Sequence, residues 1–176
     1  MTADDLRPLR FMLRPVGIDF IDDAPVQLRF EGEVAASPAA VFEVLADAEG
    51  WPAWFPQVRD GGYSTPPPHG LGSRRKVLLN GGARFQETII AFDPPRRYTW
   101  RVDSCNVPMF SALVEDWSVE PAGGGEARSL VRWQFCADSR LPSKALQRGM
   151  PRAMQRVFDQ AVRHLDERVK RRQPST

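Results

Sequence analysis

Cysteine, lysine and histidine are scarce in this sequence, and each scarcity removes a class of protein. Two cysteines, Cys105 and Cys136, occur in 176 residues, too few for a disulfide-rich secreted scaffold or a four-cysteine zinc site. Both are expected as reduced thiols. The two histidines, His69 and His164, have no metal-ligand spacing to each other or to a cysteine, so no metal is expected. Of 24 basic residues only Lys76, Lys144 and Lys170 are lysine, and 22 acidic residues bring the net charge to +2. That balance gives no bulk attraction toward nucleic acid. No run approaches the ~18 apolar residues of a membrane span, and the first residues lack the basic and apolar segments of a secretion signal. The expectation is a cytoplasmic protein, monomer or homodimer, without a nucleic-acid partner or integral membrane association. A glycine-rich phosphate loop, a dinucleotide fingerprint and a serine-hydrolase elbow are all missing. Gly123, Gly124 and Gly125 join two alternating runs and open no helix, so no cofactor is expected.

What is present is ordinary globular material, 42% hydrophobic and 26% charged, enough for one core. Residues 26–34 alternate apolar and polar, as a half-buried strand does. Ser37 and Pro38 then offer an N-cap hydroxyl and a first-turn proline to a short helix carrying Val41, Phe42 and Leu45. Pro52 and Pro56 break its continuation. Residues 61–72, rich in glycine and proline around His69, read as a mobile surface loop. Five alternating runs follow, 73–79, 84–92, 98–103, 111–120 and 129–137, separated by turn signals in the manner of an antiparallel meander. Beyond residue 143 the period becomes helical, with Leu146, Met150, Met154, Val157, Phe158, Ala161, Val162, Leu165 and Val169 in one stripe. Pro151 marks either a kink or the effective start of that helix. Residues 1–25 read as an extension supplying one or two short edge strands, and residues 26–172 as a single domain.

The fold class is α+β: a curved antiparallel sheet of six to seven strands wrapped around a long C-terminal helix, with two short helices after the first strand. One helix about 10–12 Å across is narrower than such a sheet, so the uncovered concave surface must be filled by large side chains or left as a cavity.

The segment from Glu31 to Val58, the stretch Glu87–Trp100, the run Trp117–Pro121, and the glycine-rich turn before Leu130–Phe135 together resemble the START-related, polyketide cyclase/dehydrase-like helix-grip superfamily. The resemblance spans roughly residues 26–170. It implies the fold just described and a hydrophobic ligand such as a lipid, sterol or polyketide. It does not imply one chemistry, since the superfamily includes carriers, hormone-binding proteins, lipid chaperones and aromatase/cyclases. By this resemblance Trp51, Trp54 and Phe55 close one end of a cavity.

Strand alternation sorts the remaining candidates. Phe85 and Glu87 face inward from one strand, Trp100 from the next, Glu115 and Trp117 from a third, and Trp133 from the last, while Asp116 and Cys136 face out. Taking Arg75 and Val77 as inward supplies the two buried carboxylates with a cation. Phe110 lies between two of the runs, and Met150, Met154 and Phe158 on the terminal helix complete the expected ligand-binding set. Two plainer readings compete: the five tryptophans simply fill the core, or Arg75 and Glu87 brace neighbouring strands while Glu115 reaches solvent. The leading expectation is binding or transport of a hydrophobic small molecule. The alternative is a cyclase, aromatase or dehydratase in which Arg75 orients an oxygen and Glu87 or Glu115 moves protons. A third possibility is a partner-binding module with a filled interior.

Overall fold

A computed structural model describes residues 9–123, 125–140 and 150–172. Its strands are β1 (Phe11–Met12), β2 (Val26–Val34), β3 (Val58–Tyr63), β4 (Arg74–Leu79), β5 (Arg84–Asp93), β6 (Arg97–Cys105), β7 (Phe110–Ala122) and β8 (Gly125–Ser139). The helices are α1 (Phe20–Asp23), α2 (Pro38–Ala46) and α3 (Met150–Arg172), with a 3-10 helix at Ala48–Ala53 between α2 and β3. Seven strands form one antiparallel sheet in the order β2-β8-β7-β6-β5-β4-β3, and β1 pairs with the end of β6 through Phe11 and Met12. The fold is the α+β helix-grip arrangement that the strand pattern and the resemblance implied.

Because β2 and β3 lie at opposite edges, α2 and the 3-10 helix must cross from one edge of the sheet to the other. Ser37 caps α2 by accepting from the Ala40 N–H at 3.4 Å, with Pro38 in the first turn. Asp47 then accepts from the Gly50 N–H, and the Trp51 indole donates to the Leu45 carbonyl at 2.8 Å. This folds Trp51, Trp54 and Phe55 back over the concave face instead of into solvent. Helix α3 crosses the same face. Its later residues Phe158, Ala161, Leu165 and Val169 are buried against β2, where Gly32 leaves room for Val162. Pro151 occupies the first described turn of α3, and the expected helical stretch 143–149 lies outside the described residues.

One sequence expectation is corrected here. The supposed mobile loop at 61–72 begins inside β3, which pairs with β4 from Val58 to Tyr63 across a bulge. Its residues Arg59, Asp60, Gly61 and Gly62 do not alternate, and the strand is held by its partner and by the 3-10 helix beside it, so periodicity had nothing to report. Among the described residues before 26, Phe11–Met12 is a short strand and Phe20–Asp23 is a helical turn.

The convex face also carries a small core. Val16, Phe20, Ile21 and Ala24 pack on Ala112, Val114 and Cys136. Asp116 points to this side as expected yet is only 2% exposed, because Arg97 grips it at 2.8 and 3.2 Å and Thr99 donates to it. No helix among the described residues is long and apolar enough to cross a membrane.

Candidate functional site

The concave face is closed at one end and open at the other. At the closed end Trp117 stacks on Trp133 at 5.5 Å and meets Trp54 edge-on at 5.8 Å, with Phe158 against both Trp117 and Trp133. At the other end the β4–β8 strands curl away from the first turns of α3, leaving a cavity of about 370 Å³, within the usual size of small-molecule sites. Trp51 and Phe55 form one wall. Val77, Phe85 and Trp100 line the floor, Phe110, Glu115 and Trp133 the far side, and Met150 and Met154 the roof. Arg75 and Glu87 complete the candidates that border it.

Three expected lining residues do not. Trp54, Trp117 and Phe158 are each 1% exposed or less and belong to the packed end. Their inward direction was legible, but a strand or helix has an inward face along its whole length and the cavity occupies only part of it. The lining also includes Gln57, Ala83, Val107 and Ala153, which the sequence reading passed over. They sit in turns or on the helix shoulder, where neither strand nor helix periodicity marks a side chain as inward.

Arg75 and Glu87 begin a chain of polar groups that runs out from the cavity. Arg75 is 1% exposed, and its Nε donates to Glu87 Oε2 at 2.6 Å from the directly paired position on β5. Its Nη1 donates to the Tyr98 hydroxyl at 3.2 Å. The guanidinium carbon stands 3.8 Å from the Trp100 ring centroid and 4.6 Å from that of Trp51, seated in the corner of two indoles that meet edge to face. The Tyr98 and Tyr63 hydroxyls are 2.9 Å apart, and Tyr63 reaches the Ala46 carbonyl at 3.0 Å. With Tyr63 donating to that carbonyl, Tyr98 must donate to Tyr63, so the chain of donors runs outward from Arg75. His69 stacks on Tyr63 at 3.8 Å and covers the outer end.

Glu115 stands apart from that chain. It lies mid-strand opposite Trp100 and Phe135, and the Trp133 indole donates to its Oε2 at 2.9 Å. Burial, reinforced by the charge of Glu87, pushes its carboxyl up to about 8 against the pull of Arg75 and the Trp133 hydrogen bond. Burial also raises Glu87, opposed by Arg75 beside it. Desolvation pulls Arg75 down, but its contacts with Tyr98 and Glu87 outweigh that and hold the guanidinium above its ordinary range. Tyr63 is raised by burial and by Tyr98.

A curved sheet gripping a terminal helix, with an apolar cavity between them, defines a helix-grip domain. Residues 25–170 match the family described as polyketide cyclase/dehydrase and lipid transport, and the chain belongs to that family. An uncharacterized protein of Mycobacterium tuberculosis is 34% identical over 110 residues, 62% of this chain and 66% of that protein's length. Among solved structures, a START superfamily protein from Mycobacterium smegmatis superimposes with a TM-score of 0.68 at 15% identity, over 82% of this chain and 97% of the other. A Streptomyces aromatase/cyclase gives a TM-score of 0.63 at 15% identity, covering 84% and 94%. At these identities the structures are similar in fold.

Proposed function

We propose that this protein binds a hydrophobic small molecule, of lipid, sterol or polyketide character, between its sheet and the first turns of α3. The observation that supports the reading is the cavity of about 370 Å³, whose wall is aromatic and aliphatic apart from Gln57, Arg75, Glu87 and Glu115. A close-packed interior does not leave such a space without reason, because each unfilled volume forfeits dispersion contacts. Aromatic rings on three sides favour a flat ligand. The test is native mass spectrometry of gently purified protein with organic extraction, followed by displacement of an apolar fluorescent dye. A bound apolar molecule, or a dye that the extract displaces, is the expected result. A protein that carries nothing and binds no apolar dye would overturn the proposal.

A second reading, a cyclase, aromatase or dehydratase, is favoured by the placing of Glu115. Its carboxyl borders the cavity near the hydrogen-bonded Arg75–Glu87 pair and is pushed up to about 8 by burial, which suits a carboxyl that both gives and takes a proton. In that reading Arg75 orients a substrate oxygen while Glu115 or Glu87 moves protons. Replacing Glu115 and Glu87 by glutamine separates the two readings: an enzyme loses turnover and keeps affinity, whereas a carrier changes only affinity or stability.

A further inference from the structure

The two cavity carboxyls differ in what they leave free. Glu87 is engaged by Arg75, and Arg75 is itself held between Glu87, Tyr98 and two indole rings. Glu115 has only Oε2 engaged, by the Trp133 indole; its Oε1 makes no hydrogen bond among the described residues, and the side chain borders the cavity. Resting on the ligand-binding reading above, we propose that Glu115 is the group that reads the ligand's polar end, donating a hydrogen bond from Oε1 to an uncharged oxygen, a ketone or quinone carbonyl, set on an otherwise apolar framework.

The chemistry follows from the surroundings. An acid in an apolar wall is cheaper to hold neutral than ionised, and a neutral carboxyl is a donor with one proton to place. The indole N–H already occupies Oε2 as an acceptor, so the proton falls on Oε1, toward the cavity. A hydrocarbon ligand would leave that donor buried and unpaired, which carries the full desolvation cost. A carbonyl satisfies it. Among the described residues, the charged groups facing Glu115 are Arg75 from β4 and Glu87 from β5; the walls from β6, β8 and α3 bring Trp100, Trp133, Phe135, Met150 and Met154, none of which titrates. Its carboxyl is pushed up to about 8, so the donor is present through neutral pH and lost above it.

The test uses two probes of nearly the same shape, acetylnaphthalene and ethylnaphthalene, each titrated against a bound apolar dye in the full-length protein. Partition alone favours the hydrocarbon, so a preference for the ketone reports the hydrogen bond. At pH 6 the ketone should bind roughly fivefold tighter, the worth of one buried hydrogen bond, and the preference should fade between pH 7 and 9. Glu115→Gln keeps a donor and should keep the preference while losing its pH dependence; Glu115→Met should lose the preference. Equal binding of both probes by the unmodified protein, or a preference that survives Glu115→Met, overturns the inference and leaves the ligand-binding reading standing. A protein that binds neither the dye nor either probe overturns both.

Discussion

Arg75 and Glu87 face each other across β4 and β5 with Nε to Oε2 at 2.6 Å and with 1% and 4% of their surfaces exposed. The pair removes two charges from water, so its net worth is set by what happens when one partner goes missing. Arg75→Met should strand Glu87 and lose about 3–5 kcal/mol of stability, seen as a lower urea midpoint with an unchanged slope. Adding Glu87→Leu to that variant should restore most of the loss. A double variant as unstable as the single would show that the indole and tyrosine contacts of Arg75, not its charge pairing, hold this corner.

The raised Glu115 carboxyl makes stability depend on pH in a definite direction. In the unfolded chain it ionises near its ordinary value of 4.5, and in the folded protein only near 8. Between those limits the folded state keeps a proton that the unfolded state has released, so stability should fall as pH rises through the window and level off above it. Glu87, also raised, acts in the same sense. Chemical denaturation at pH 5, 7 and 9 measures the slope, and Glu115→Gln should flatten it. A stability that climbs from pH 5 to pH 8 would contradict the assignment.

Helix α3 approaches β2 closely at Gly32. A Cβ built there would lie 3.1 Å and 3.3 Å from the two Val162 methyl carbons and 3.5 Å from the Phe158 ring. Gly32→Ala should therefore push α3 outward and cost about 1–3 kcal/mol, read as a lower Tm. Because the first turns of the same helix roof the cavity, dye affinity should change as well. Pairing Gly32→Ala with Val162→Ala should recover stability.

The convex face makes a separate prediction. Cys136 lies under α1, its thiol 3.7 Å from the Ile21 carbonyl and pushed up to about 11, mainly by burial. Alkylation at pH 8 should be slow in the folded protein. Phe20→Ala should remove part of the cover, destabilise by about 3 kcal/mol and speed labelling of Cys136 identified by mass spectrometry. Labelling that stays slow would mean that α1 contributes little to its protection.

The sequence by itself determined the side on which most residues lie. Period-two alternation placed Glu87, Trp100, Glu115 and Trp133 on the concave face and Asp116 and Cys136 on the convex one, because a strand's pleat fixes that choice locally. The cap at Ser37 and the stripe from Phe158 to Val169 were legible for the same reason. Arg75 took its direction from the demand for a cation beside buried acids, an energetic argument rather than a periodic one. The β3 strand was not legible, since the partner β4 and the 3-10 helix hold a segment with no pattern of its own. Nor could local pattern separate Trp100 and Trp133, which border the cavity, from Trp54 and Trp117, which fill the packed end. That division depends on how far the curl of β4–β8 departs from the line of α3, a distance between elements remote in the chain. The sequence already offered Arg75 to Glu87, but the Trp133 indole on Glu115 and the open space beside it came only from the assembled interior, where strands β7 and β8 and helix α3 meet.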